Sequence, residues 1–99
     1  MQQLNYHHLY YFYVTAREGS IMRASELLHL TPQTVSSQIA TLENYLGNKL
    51  FDRKGKRLIL NENGQYVYSY AEDIFRLGSE LQQNLKQQTS GHHLQFTVG

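Results

Sequence analysis

The chain has no cysteine, a single proline and no long uninterrupted apolar run. Without cysteine there is no disulfide framework, no thiolate nucleophile and no thiolate zinc site. No stretch approaches the ~18–20 apolar residues that a membrane helix needs. The start, Met1-Gln2-Gln3-Leu4-Asn5-Tyr6, has neither the basic beginning nor the apolar run of a signal peptide. Charge is scarce as well: Asp, Glu, Lys and Arg make up 17% of the residues, with Gln, Asn, Ser and Thr in their place. Five histidines are present, but His7 and His8 are adjacent and point to different sides of a helix, and His92-His93 falls in a polar stretch. No two stand at i, i+4 and no carboxylate completes a zinc set. Glycine-rich phosphate loops, nucleophile elbows and paired carboxylates are missing too. These absences lead us to expect a soluble cytoplasmic protein with no metal, no cofactor, no catalytic residues and no membrane partner. It is not expected to be an enzyme.

What charge there is lies unevenly along the 99 residues. Positions 1–48 carry two basic and three acidic groups, and positions 58–99 carry two and four. Between them, Lys49, Arg53, Lys54, Lys56 and Arg57 stand against Asp52 alone, a local charge of +4 in nine residues. Such a patch suits phosphates, although a solvated hairpin tip would look the same by composition.

The chain is long enough for one small domain, and 40% hydrophobic residues allow a modest core. Asn5 is a good N-cap for a first helix reaching about Glu18, with Leu9, Phe12 and Ala16 as its buried stripe. The tyrosines around that stripe read as packing residues rather than as a base-stacking platform. Gly19 ends this helix, and Ser20 caps a second from Ile21 to Leu28 that buries Ile21, Ala24 and Leu28. A tight turn at His29-Leu30 leads to Thr31 as N-cap and Pro32 at the first helical position. There the hydroxyl accepts an orphan amide, and proline lacks the amide that would go unpaired. This third helix runs to Leu46 and stops at Gly47.

The third helix carries the most informative pattern. Val35, Ile39, Leu42 and Leu46 fall in one narrow sector. Gln33, Ser37, Thr41 and Asn44 lie opposite, with Thr34 and Gln38 on one shoulder and Ser36 on the other. No charged residue occurs from Thr31 to Leu42. A face of short hydrogen-bonding side chains, where a solvated helix would carry Lys and Glu, suits the donor and acceptor pattern of base edges in the major groove.

Two short apolar segments, 49–53 and 58–60, flank Lys54-Gly55-Lys56-Arg57 and read as a basic hairpin, or wing. Asn61 then caps a long helix from Glu62 to about Gln88, roughly 40 Å in extent. Val67, Ala71, Ile74, Gly78, Leu81 and Leu85 step along it by 4, 3, 4, 3 and 4, the spacing of a coiled-coil seam. Tyr66, Tyr70, Phe75 and Leu77 form a second apolar side. The expected arrangement rests this second side on the first three helices and gives the seam to a second subunit. The fold class is thus mainly α: a winged helix-turn-helix of three helices and a two-stranded wing, followed by a long dimerisation linker helix. Its expected division is 1–61 for the DNA-binding domain, 62–88 for the linker helix and 89–99 for a hinge and first strand.

The residues also carry a family pattern. Ala24, Leu28, Thr31, Pro32, Val35, Ser36, Gln38, Ile39, Leu42, Glu43, Leu46, Gly47, Leu50, Phe51, Arg53, Leu60 and Gly64 match the N-terminal signature of the LysR-type transcriptional regulators. The resemblance runs from about Leu4 to Val98, and the block VSSQIATLENYLGNKLFDR is its most specific part. Within the family, NYHHLYYF, LTPQT and LFDRKGKR look most like one subgroup of activators. The resemblance implies linker helices paired antiparallel in a homodimer, a partly palindromic promoter site on double-stranded DNA, and a tetramer in a full-length protein. It also implies an effector domain beginning near Leu94 that is absent here, so that the chain would be a fragment or a truncated product. Carried over by position, Pro32, Gln33, Ser36 and Ser37 are the base-contacting start of the recognition helix, and Arg53 is the wing arginine at the minor groove.

One departure bears on specificity. Many family members have a long cation at the position of Ser37, able to reach a guanine edge. Serine reaches less far, which shifts the expected readout toward Gln33, Thr34 and Thr41, or toward DNA shape. Gln38, Lys49, Arg53, Lys54, Lys56 and Arg57 are the expected phosphate and wing contacts. Two other classes stay in view: a winged helix used only for protein assembly, and a single-strand or RNA binder relying on exposed aromatics.

Overall fold

The computed structural model describes residues 3–91, with side chains through residue 87. The polar His92-His93 pair and the strand-like Leu94–Gly99 segment lie outside the described residues. In chain order the elements are α1 (Tyr6–Glu18), α2 (Ile21–Leu28), α3 (Pro32–Leu46), β1 (Phe51–Lys54), β2 (Arg57–Leu60) and α4 (Glu62–Gly91). Each helix start is set by a side chain that accepts an otherwise unpaired amide. Asn5 Oδ1 accepts from His7 and His8, Ser20 Oγ from Arg23, Thr31 Oγ1 from Thr34 and Asn61 Oδ1 from Gly64. The turn between α2 and α3 is closed by His29, whose φ of 59° is left-handed, and by Leu30 N–H donating to the Ser25 carbonyl at 3.0 Å. In the wing, Phe51 pairs with Leu60 and Lys54 with Arg57, antiparallel. Gly55 takes the first loop position with φ 63°, where a two-residue hairpin requires a positive value.

The core centres on α1, which touches α2, α3, α4 and β2. Leu9 and Phe12 are buried as expected, but Val14 and Thr15 are buried too, whereas Ala16 is only half-buried. A helix covered from several sides buries a wider arc than one stripe. On α2, Ala24 and Ser25 are buried while Ile21 and Leu28 are half-covered. The Ser25 hydroxyl is satisfied by donating to the Met22 carbonyl at 2.7 Å. The tyrosines of α1 meet α4: Tyr13 stacks on Tyr68 at 5.2 Å, and Tyr10 meets Phe75 edge-on at 5.2 Å. Burial pushes the Tyr68 phenol above its ordinary value, with Tyr13 and Glu72 adding in the same direction.

The long helix corrects two expectations. It continues to Gly91, three residues past the expected end at Gln88. Its apolar sides are also divided differently. Ala71 is fully buried in this chain's own core, and Val67 and Ile74 pack against that core, so the first half of the expected seam is intramolecular. Of the side expected to rest on α1–α3, Phe75 does pack there, but Tyr66, Tyr70 and Leu77 are 66%, 56% and 57% exposed. Gly78, Leu81 and Leu85 lie beyond the body on an exposed stretch. The projecting helix raises the radius of gyration to 16.8 Å, against ~13 Å for a compact domain of this size.

Candidate nucleic-acid interface

The third helix is anchored through Val35, Ile39 and Leu42, all buried, so its opposite face is fixed outward. That face exposes Gln33, Ser36, Ser37, Thr41 and Asn44, while Pro32 and Gln38 are half-buried. Two of the expected base readers are partly engaged elsewhere. Thr34 is half-buried, and its hydroxyl shares a 2.8 Å hydrogen bond with that of Thr31 in the N-cap. Thr41 Oγ1 donates to the Ser37 carbonyl at 3.0 Å, leaving its lone pairs but not its proton for a ligand. Gln33, Ser36 and Ser37 keep outward side chains at the start of the helix.

A cleft of 430 Å³ separates the start of α3 from the wing. Pro32, Gln33 and Ser36 line one wall, Arg53, Lys56 and Leu58 the other, and Ser20, the cap of α2, and Met22 complete the rim. Uncharged hydrogen-bonding groups and cations thus border the same opening. A second cleft of 490 Å³ continues along α3 between Ser36, Ala40 and Glu43 on one side and Lys49, Phe51 and Arg53 on the other. Arg53 belongs to both. Arg53, Lys54, Lys56 and Arg57 are exposed, and among the described residues no ion pair reaches them. Lys49 differs: its ammonium lies 3.8 Å from Glu43, so part of its charge is already answered within the protein.

Sequence reasoning missed Ser20 and Met22 at the rim of the cleft. Met22 is 60% exposed. A period-3.6 pattern would have shown Met22 facing outward, but not that the wing folds back beside it. The sequence reading also gave Glu43 no role beyond the family signature, although its carboxylate is turned inward, at 11% exposure, toward the base of the wing.

Of the six residues expected at a dimer seam, Ala71 has no surface left to offer a second chain, and Val67 and Ile74 have little. Leu81 and Leu85 are 66% and 55% exposed, and Tyr66, Tyr70 and Leu77 are exposed on the same helix, with Asp73 between the tyrosines and the leucines. Beside them, Arg76 bridges Asp73 at 3.1 Å and Glu80 at 3.2 Å. No helix among the described residues is long and apolar enough to cross a membrane.

Comparison with known proteins follows this geometry. A family model described as bacterial regulatory helix-turn-helix protein, lysR family, matches residues 6–65. The transcriptional activator protein NhaR of Escherichia coli K12 is 49% identical over 81 residues, covering 82% of this chain and 27% of its own length. NYHHLYYF, LTPQT and LFDRKGKR point to this subgroup. The RuBisCO operon transcriptional regulator of Allochromatium vinosum is 39% identical over 75 residues, covering 76% of this chain and 25% of its own length. These relatives are regulators rather than enzymes, and the chain spans about a quarter of their length. Among solved structures, the BenM DNA-binding domain in complex with catB site 1 DNA superposes with a TM-score of 0.81 at 29% identity, covering 91% of this chain and 97% of that one. Full-length LysG of Corynebacterium glutamicum gives a TM-score of 0.79 at 26% identity, over 87% of this chain and 30% of that one.

Proposed function

This chain belongs to the lysR family of bacterial regulatory helix-turn-helix proteins, and from that premise we propose that it reads a promoter half-site with the start of α3 while its wing holds the DNA backbone. The observation that carries this reading is the shared cleft, which sets the uncharged Gln33 and Ser36 beside Arg53 and Lys56, with Ser37 exposed next to them on α3. Gln33, Ser36 and Ser37 reach base edges in the major groove, with Pro32 fixing the helix start and Thr41 supplying an acceptor. Thr34 acts mainly through the cap. Arg53, Lys54, Lys56 and Arg57 neutralise phosphates, Arg53 at the minor groove, with Gln38 and Lys49 in lesser roles. The chain works as a homodimer on a partly palindromic site of double-stranded DNA in the cytoplasm. Its contact is the line from Tyr66 through Leu77 to Leu85 on α4, in place of the seam expected through Val67, Ala71 and Ile74. In this reading residues 1–61 are the reader, the helix to Gly91 is the dimer element, and a full-length protein with an effector domain forms a tetramer.

A salt-dependent titration tests it. Duplex affinity should fall with a log–log slope of about −0.9 per phosphate neutralised. Gln33→Ala should change the preferred site in a random-duplex selection and leave that slope alone. No measurable duplex binding at low salt would instead favour a module that serves only protein assembly.

A further inference from the structure

Glu43 lies on α3, on the side turned to the wing, and its carboxylate is largely buried. Oε2 accepts the Leu50 amide at 2.9 Å, and Oε1 stands 3.8 Å from the Lys49 ammonium. The Glu43 main-chain carbonyl accepts two more amides, from Gly47 at 2.8 Å and Asn48 at 3.1 Å. One residue therefore holds the whole connection from the recognition helix to the first wing strand. Leu50 is fully buried, so its amide would be left unpaired if the carboxylate were removed.

From the other side the same connection is held by the start of α4. Asn61 Nδ2 donates to the Lys49 carbonyl at 2.9 Å, and the Asn61 amide donates to the Leu50 carbonyl at 3.1 Å. Gly64 lies so close to that carbonyl oxygen that a Cβ would collide with it. The segment 47–50 is thus clamped, while the wing beyond it is anchored at its base through Phe51 and Leu60. Glu43 and Lys49 stand in the cleft whose other end is Ser36 and Arg53. What fixes Glu43 to Leu50 therefore sets the separation of the two walls.

We propose that Glu43 is a positioning residue for DNA binding: its hydrogen bond to the Leu50 amide holds the wing so that Arg53 meets the same duplex that the start of α3 reads. This rests on the reading of the wing as a DNA contact. Glu43 touches no nucleic acid itself, being turned inward. The carboxylate is needed as an acceptor, and its charge is secondary, since its Lys49 partner has 81% of its side chain exposed.

The test is a double-mutant cycle on the 99-residue chain, titrated with a selected duplex over a range of salt. Arg53→Ala is expected to weaken binding about tenfold and to lower the salt slope by about one phosphate. Glu43→Ala should do nearly the same, and the double variant should bind about as weakly as Arg53→Ala alone, because an unpositioned Arg53 has little left to lose. Glu43→Gln, which keeps an acceptor for the Leu50 amide, should stay within about twofold of the parent. Should Glu43→Ala fail to fold by circular dichroism, Asn61→Ala loosens the same segment from the α4 side, with the same non-additivity expected. Additive effects of the two lesions, or a Gln variant as weak as the Ala variant, would overturn the assignment of Glu43 while leaving the wing's role intact. An Arg53→Ala chain that binds like the parent would overturn both.

Discussion

The two halves of α4 share one apolar periodicity and meet opposite fates. Up to Phe75 the helix lies on α1, with Ala71 completely covered and Val67, Tyr68 and Ile74 packed beside it. From Arg76 to Gln87 every side chain is exposed, including Leu77, Leu81 and Leu85. The spacing of apolar residues says that a helix has a partner. It does not say whether the partner is the same chain. What separates the halves is the reach of the body: Gly64 and Ala71 are buried where α4 closes on it, and Gly78 and the leucines continue where there is no body left to meet.

The largest expected effect breaks the buried half. Ala71→Glu places a charge at a fully buried site and should cost about 4 kcal/mol or more, enough to unfold a domain this small. Urea denaturation reads it, and a variant of parental stability would mean that α4 is not part of the core. Next is Gly64→Ala, whose methyl would strike the Leu50 carbonyl oxygen and should cost about 3 kcal/mol. Denaturation of that variant within experimental error of the parent would remove the close approach of α4 to the wing base.

Leu81→Glu sharpens the comparison from the exposed half. Stability of the isolated chain should change by less than about 0.5 kcal/mol. The mass by sedimentation equilibrium should fall from dimer to monomer, and a persisting dimer would place the contact elsewhere. The last effect has the opposite sign and concerns Thr15, whose hydroxyl is fully buried without a hydrogen-bond partner among the described residues. Thr15→Val keeps the shape and removes the unpaired group, so it should stabilise by about 1 kcal/mol. A loss of stability would reveal a partner for that hydroxyl, such as a buried water.

The parts of this fold that were legible in the sequence are local in origin. Asn5, Ser20, Thr31 and Asn61 announce helix starts because a cap acts within three residues. Gly19 and Gly47 announce stops because both adopt left-handed φ, of 69° and 78°. The outward face of α3 was legible for a similar reason, since Val35, Ile39 and Leu42 leave only one side for Gln33 and Ser37. Contacts made across the chain were not. Nothing near Met22 announces the wing, nothing near Glu43 announces the Leu50 amide, and Thr34 reads as a free hydroxyl until its distance to Thr31 is known. Tyr66, Tyr70, Phe75 and Leu77 read as one apolar side, yet only Phe75 of them packs on the body, because the spacing of apolar residues does not say which of them a neighbouring helix will reach.

The length of α4 carries a mechanical consequence. Thirty residues make a rod of about 45 Å, hinged to the reader only through Asn61, Gly64 and the packed first half. Over the projecting part of this lever from Arg76 to Gly91, about 24 Å long, a tilt of about 5° at its base moves the far end by roughly 2 Å. Small errors in seating at the base are therefore magnified at the far end. A collision-tight glycine and a doubly bonded asparagine at the fulcrum are the tolerances that such a lever demands.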